Sequence, residues 1–341
     1  YHHKRHPIRV KTRWGATREG KVVAVEATVI GDAGAYNYTS NKVLGNANLT
    51  VTGAYDLPNV HVDTYAVYTN NIPCGAFRGF GAPQALFAAE GQMDRLADAL
   101  GMDRLEIRRR NCFKEGSLQS TGTPLPRGVS IAQVLDAVGR ESYWQARPDG
   151  SVERAPTPQP DDPSKRRGRG VACGYKNVGY SFGFPDRSRA AVELALGEDG
   201  SILTALVRCA AVDVGQGVAT ALAQLAAETL GIPVGRVRLA GVDTAHAPNA
   251  GSSSASRHVF MSGNAVVRAC RAALEQRDAA LREETGARRV AAQATFEGRG
   301  ARPTTPYAPG TGQSEPHISY SFGTQIAVVD VDTETGEVEV P

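Results

Sequence analysis

Three loops of small residues, each leading into a helical pattern, hold the residues of this sequence best suited to chemistry. They are Cys74-Gly75-Ala76-Phe77-Arg78-Gly79-Phe80-Gly81-Ala82 before Pro83, Val214-Gly215-Gln216-Gly217 before Val218, and Asn249-Ala250-Gly251-Ser252-Ser253-Ser254-Ala255-Ser256 ahead of a helix near Gly263. Small residues let the backbone approach a ligand, helix N-termini offer unpaired N–H groups to anions, and the serine run adds hydroxyl donors. Together the loops point to a large, polar, phosphorylated cofactor, whereas each alone reads as an ordinary tight turn. None fits G-x-G-x-x-G: Gly79-Phe80-Gly81 continues to Gln84, and Gly215-Gln216-Gly217 to Thr220. A Rossmann dinucleotide site is therefore poorly supported, and the sequence has no P-loop lysine motif, G-x-S-x-G or H-E-x-x-H.

The elements that must carry these loops are legible in outline. Residues 21–29 and 62–68 are rich in β-branched residues and read as strands. Leu86, Met93, Leu96 and Leu100 recur at helical spacing between Pro83, suited to a first helical position, and Gly101, suited to a stop. Residues 190–196 and 202–210 flank Glu198-Asp199-Gly200 as a hairpin. Helices are expected over Val218–Leu230 and 263–284, and strands over 237–241, 325–332 and 337–340. Residues 147–169 are crowded with Pro, Asp, Arg, Gly and Ser and almost free of apolar side chains, so they read as an exposed, mobile linker between domains at 1–146 and 170–341. The class is α+β, or mixed α/β, in two domains.

Composition narrows the functions. The net charge of +3 over 341 residues gives no reason to expect nucleic acid as a partner. No stretch approaches the ~20 apolar residues of a membrane span. The five cysteines, Cys74, Cys112, Cys173, Cys209 and Cys270, are scattered without a C-x-x-C pair. That argues against a disulfide framework, and against an iron–sulfur or zinc site within the chain, and favours a cytoplasmic setting. The chain starts without Met and ends in what reads as a strand just begun, so truncation at both ends is expected.

At the loops the sequence becomes familiar. Thr69-Asn70-Asn71-Ile72-Pro73-Cys74-Gly75-Ala76-Phe77-Arg78-Gly79-Phe80-Gly81-Ala82-Pro83-Gln84 closely resembles the T-N…A-F-R-G-F-G-x-P-Q signature of the xanthine dehydrogenase/aldehyde oxidase family. Asp32-Ala33-Gly34-Ala35-Tyr36, Gly53-Ala54-Tyr55-Asp56-Leu57-Pro58-Asn59, Arg108-Arg109-Arg110-Asn111, Val214-Gly215-Gln216-Gly217 and the 248–256 segment match further family segments in order. The resemblance covers nearly the whole chain apart from the 147–169 segment and about 286–313. It implies an internal piece of the two-domain, molybdopterin-binding large subunit, and a molybdenum ion held by the dithiolene of a molybdopterin. Such a cofactor places a water-derived oxygen on an electron-poor carbon, and electrons leave through iron–sulfur clusters and FAD on partner subunits or domains. A dimer of heterotrimers, with Fe–S and FAD subunits, is the assembly implied.

Carried over by position, Gln216 would contact the molybdenum centre through its amide, and Phe77, Arg78 and Gly79 would present backbone groups near the metal's oxygens. Gly215, Ser252, Ser253, Ser254, Ala255 and Ser256 would line the pterin and its phosphate. No side chain of this chain would ligate the metal directly. Phe80 and Phe182 match the family's pocket aromatics and would grip a flat substrate ring. Asn46 stands where purine-oxidising members carry an arginine, which turns the expectation from xanthine toward an aldehyde or aromatic N-heterocycle. The Pro73-Cys74-Gly75 text resembles the hydroxybenzoyl-CoA reductase branch, which keeps an aromatic acyl-CoA reductase as an alternative; a cofactor-free scaffold is a second. The family's general-base glutamate is expected beyond Pro341, and Glu315 and Glu337 lie in the wrong context to replace it. A base contributes typically ~10²–10⁴-fold, so this piece alone is expected to be inactive.

Overall fold

The computed structural model describes residues 3–141, 143–298 and 304–341. In chain order the first elements are β1 (Ile8–Ala16), β2 (Val22–Gly34), α1 (Ser40–Thr50), β3 (Val60–Tyr68), α2 (Ala82–Leu100), α3 (Arg104–Asn111) and α4 (Ile131–Gly139). There follow β4 (Trp144–Ala146), β5 (Val152–Arg154), β6 (Lys165–Val178), β7 (Arg187–Leu196), β8 (Ile202–Arg208) and α5 (Val218–Leu230). The last are β9 (Val237–Leu239), α6 (His258–Arg282), β10 (Arg289–Glu297), β11 (Ser319–Asp332) and β12 (Val338–Glu339). They fall into two compact units, the first Tyr1–Lys176 with Tyr320–Pro341, the second Asn177–Ser319.

In the first unit β1 pairs antiparallel with β2, and β3 lies parallel on the other side of β2. Helix α2 opens with proline in its first turn and stops at Gly101 in the left-handed conformation, as the sequence suggests. Its buried stripe is made of the small Ala85, Ala89 and Ala97 together with Met93, more than of the leucines. Among them sits Glu90, which accepts from the fully buried Arg108 of α3 at 2.7 Å and from the Cys173 N–H of β6 at 2.9 Å. The core around this pair is built from Leu49, Tyr55, Leu105, Ile107, Phe113 and Trp144.

The segment expected as a mobile linker takes a different form. It contributes β5, which closes a small hairpin with β4, and the start of β6. Its arginines are the reason. Arg169 is buried, donating to Thr157 Oγ1 at 2.9 Å and to the Tyr143 carbonyl at 3.1 Å while lying over the Tyr143 ring. Arg167 forms two bonds to Asp330 of β11, at 2.6 and 2.7 Å. Long arginine stems cover surface, and a planar guanidinium matches a carboxylate, so a strand forms with few apolar residues. Because β11 hydrogen-bonds to β6, residues 320–341 join the first unit and not the one that precedes them in sequence.

The second unit is a four-stranded sheet in the order β10-β7-β8-β9, with α5 and α6 packed on each other and α6 against β7 and β10. Alternate residues of β7, Ala190, Val192, Leu194 and Leu196, are buried, as expected of a sheet with one covered face. The hairpin at 197–201 and helix α5 fall where the sequence places them. Helix α6 starts five residues before Gly263. That glycine marks a close crossing: a Cβ there would come 2.7 Å from Leu225 of α5.

Candidate functional site

In the first unit the loop before α2 is a run of tight turns: the Phe80 N–H donates to the Phe77 carbonyl at 2.7 Å and the Ala82 N–H to the Gly79 carbonyl at 3.1 Å. Only glycine fits on either side of Phe80. A Cβ on Gly79 would lie 2.3 Å from Pro83 and one on Gly81 2.3 Å from the Val43 carbonyl, with φ at +93° and +90°. Phe80 itself has φ +52°, costly for a residue with a side chain. Asn46 of α1 is buried, and its amide donates to the Phe80 carbonyl at 2.7 Å. Two residues expected at the substrate are thus brought together, with Asn46 holding the backbone of Phe80. The neighbouring N-terminal segment braces the loop: Arg5 donates to the Arg78 carbonyl at 2.8 Å, and its guanidinium covers the Phe77 ring at 4.5 Å. The side chains of Phe77 and Arg78 are exposed. Around this loop Arg5 Nη1, His6 Nδ1 and Gln84 Oε1 are buried polar atoms without a protein partner. Burial holds the His6 imidazole below its usual range, opposed by Asp32.

In the second unit Gly215 and Gly217 adopt φ +102° and +76°, and Gln216 between them is exposed. Asp213 accepts from the N–H groups of Gly215 (2.9 Å), Gly217 (3.2 Å) and Ala219 (3.4 Å), and these bonds, first that from Gly215, hold its carboxyl below the usual range. The N-terminus of α5 therefore already carries a carboxylate, a charge that suits the positive end of the helix. Gln216 turns its amide to its own loop, accepting from the Val214 N–H at 2.6 Å and donating to the Val212 carbonyl at 3.1 Å.

The serine loop divides in two. Ser252, Ser254 and Ser256 are exposed, whereas Ser253 points inward, donating to the Val212 carbonyl at 2.6 Å. Ala255 and Ser256 both have positive φ, +56° and +50°. Arg257, fully buried, ties this loop to the one carrying Phe182. It donates to Asp186 at 2.7 Å, to the Arg187 carbonyl at 2.8 Å and to the Ser252 carbonyl at 3.3 Å, and it lies 4.6 Å from the centre of the Tyr180 ring. The Tyr180 hydroxyl in turn accepts from the Ser252 N–H at 2.8 Å. Gly251 sits against this hub, where a Cβ would come 2.9 Å from Arg257. Phe182 has φ +54° and stacks on Tyr307 at 4.8 Å between ring centres, with His317 edge-on at 5.4 Å.

Arg257, Asp186, Asp213 and Tyr307 were not singled out by sequence. Asp213, two residues before a glycine and four before another, carried a readable signal, because Asp bonds backbone N–H groups just ahead of it in turns. A buried arginine such as Arg257 gives none, since charge normally marks surface. Among the described residues no helix is long and apolar enough to cross a membrane.

Comparison with known proteins follows the same outline. Two family models, each described as a molybdopterin cofactor-binding domain, match residues 1–112 and 139–341. A probable xanthine dehydrogenase subunit of Bacillus subtilis is 30% identical over 99% of this chain and 46% of its own length. An aldehyde oxidoreductase of Megalodesulfovibrio gigas is 30% identical over 100% of this chain and 36% of its own. The solved aldehyde oxidoreductase from Desulfovibrio gigas superposes on 99% of this chain and 36% of its own, with a TM-score of 0.82 at 27% identity. The chain thus spans less than half the length of these relatives.

Proposed function

This chain belongs to the molybdopterin cofactor-binding family of xanthine dehydrogenase/aldehyde oxidase type, and from that premise we propose that it is the cofactor-holding part of an enzyme hydroxylating an electron-poor carbon of an aldehyde or aromatic N-heterocycle. One observation carries the reading. Of the six non-glycine residues with positive φ among those described, four are Phe80, Phe182, Ala255 and Ser256. All four are positions that the family resemblance assigns to cofactor or substrate. Such conformations cost about 1–3 kcal/mol each and persist at clamps and active sites.

The residues present suit the group. The exposed hydroxyls of Ser252, Ser254 and Ser256 can donate to a phosphate or to the polar edge of a pterin. Gln216 has an exposed amide with a donor and an acceptor lone pair left after its loop bonds. Phe77, Arg78 and Gly79 offer backbone, and the buried unpartnered Arg5 Nη1 and Gln84 Oε1 beside them suit polar ligand groups. When bound, the cofactor supplies the two-electron redox chemistry; the protein binds and orients it. Phe80 and Phe182 each offer an aromatic ring suited to contact with a flat substrate, and Asn46 keeps Phe80 in its strained conformation. Ser253 supports the loop from within. Fe–S and FAD partners receive the electrons.

The test is a substrate screen on the longest natural form of the protein with its partners, using aldehydes and N-heterocycles, an artificial electron acceptor and ¹⁸O-labelled water. Product carrying the label supports the proposal. A label taken from dioxygen, or no turnover of any such compound by molybdenum-replete protein, refutes it.

A further inference from the structure

His258, the first residue of α6, lies behind the serine loop and belongs to none of the roles assigned above. Its Nε2 is 2.8 Å from Ser253 Oγ and its Nδ1 3.0 Å from Ser262 Oγ, which is in turn 2.9 Å from Ser188 Oγ. Ser188 and Ser262 are fully buried and His258 nearly so.

Proton counting fixes the direction of this chain. A carbonyl oxygen only accepts, so Ser253 spends its one proton on Val212. Toward His258 it can then only accept, and His258 Nε2 must carry a hydrogen. A neutral imidazole has one N–H, so Nδ1 accepts from Ser262, and Ser262 accepts from Ser188. We infer that His258 is a positioning residue: held as the Nε2–H tautomer, it keeps the Ser253 hydroxyl on the Val212 carbonyl and so sets the 212–216 loop and the amide of Gln216.

The opposite tautomer would draw the Ser253 proton toward His258. Two oxygens, Ser253 Oγ and the Val212 carbonyl, would then face each other at 2.6 Å without a hydrogen between them. The Val212 carbonyl also accepts from Gln216 Nε2, and Gln216 Oε1 accepts from the Val214 N–H. Displacing the carbonyl therefore releases the Nε2 end of the amide and leaves the Val214 N–H as its one remaining loop partner, which weakens that bond in turn. The charged groups near the ring are Arg257 and Asp186, with the buried Cys209 thiol beside Ser262 and Ser188. Burial, reinforced by Arg257 and opposed by Asp186, holds the imidazole below its usual range, which agrees with a neutral ring. The consequence for the cofactor rests on Gln216 facing it, as proposed above; the relay itself does not.

The test therefore reads the full chain without cofactor as well as the loaded protein. Long-range ¹H–¹⁵N spectra of ¹⁵N-histidine-labelled protein should show His258 neutral with the proton on Nε2. A proton on Nδ1, alone or in an imidazolium, overturns the inference. Amide exchange at Val214 supplies the second readout. His258→Phe and Ser253→Ala should each speed it about fivefold, the worth of one net hydrogen bond, and together no more than either alone. His258→Gln, whose Nε2 can still donate to Ser253, should restore protection to within about twofold. Additive effects, or a Phe variant as protected as wild type, overturn the relay. A pterin-free natural protein in which Val214 is still protected would count against the cofactor reading alone.

Discussion

Replacing Asp186 by Asn should loosen the loop carrying Phe182 and the serine loop together. Asp186 accepts from Arg257 through one oxygen at 2.7 Å and from the Tyr180 N–H through the other at 2.8 Å. The Arg257 side chain is 0% exposed and that of Asp186 11% exposed. Asn keeps the shape but removes the charge, and leaves a buried guanidinium without a carboxylate. Removing one member of a buried ion pair costs about 3–5 kcal/mol, and the slight exposure of Asp186 places this case near the lower figure. Both tryptophans, Trp14 and Trp144, lie in the first unit, so their fluorescence is a poor reporter of the change. Amide exchange along α6 is the suitable assay, and 3 kcal/mol corresponds to roughly 150-fold faster exchange where opening limits it. Arg257→Met should cost at least as much, because the Arg187, Ala250 and Ser252 carbonyls lose a donor as well. Exchange in Asp186→Asn within about threefold of wild type would show that Asp186 is not what stabilises Arg257, and the argument would fail.

Two further substitutions test the account elsewhere. Gly81→Ala forces a Cβ to within 2.3 Å of the Val43 carbonyl at φ +90°, so it should cost ~2 kcal/mol or more and lower the tryptophan-detected melting temperature by roughly 4–8 °C; an unchanged melt would contradict the packing described. Burial pushes the half-buried Lys176 ammonium down to about 8 from an ordinary 10.5. The unfolded chain therefore binds more protons than the folded one between those values, and the folded form is penalised below pH 8 and relieved as pH rises to 10.5. Lys176→Met should be more stable than wild type at pH 7 by at most about 3 kcal/mol, and urea titrations should show the gap closing over that pH range; a constant gap would refute the assignment.

Much of the fold could be read from local pattern. Helix α5 falls on Val218–Leu230 as expected, and α2 runs between its proline and Gly101 because both ends carry their own stop and start chemistry. What the pattern hid was held by distant partners. Residues 147–169 have almost no apolar side chains and so read as a linker, yet Arg167 and Lys165 find Asp330 and Glu339 far along the chain. Helix α1 carries Asn46 and was not foreseen, since Ser40-Asn41-Lys42 and Gly45-Asn46-Ala47-Asn48 give little helical periodicity. The site residues came from the family resemblance more than from residue chemistry. The structure then separates them: Phe80, Phe182, Ala255 and Ser256 are strained, Ser253 is turned inward, and the α5 terminus is filled by Asp213.

The most direct test of the central claim is to measure molybdenum and extractable pterin in the longest natural form of the protein, purified from its source. Stoichiometric amounts of both are predicted, with Gln216→Ala and a Ser252→Ala/Ser254→Ala variant retaining less pterin than wild type. Full-length, correctly matured protein with neither molybdenum nor pterin would contradict the account and leave a cofactor-free scaffold in its place.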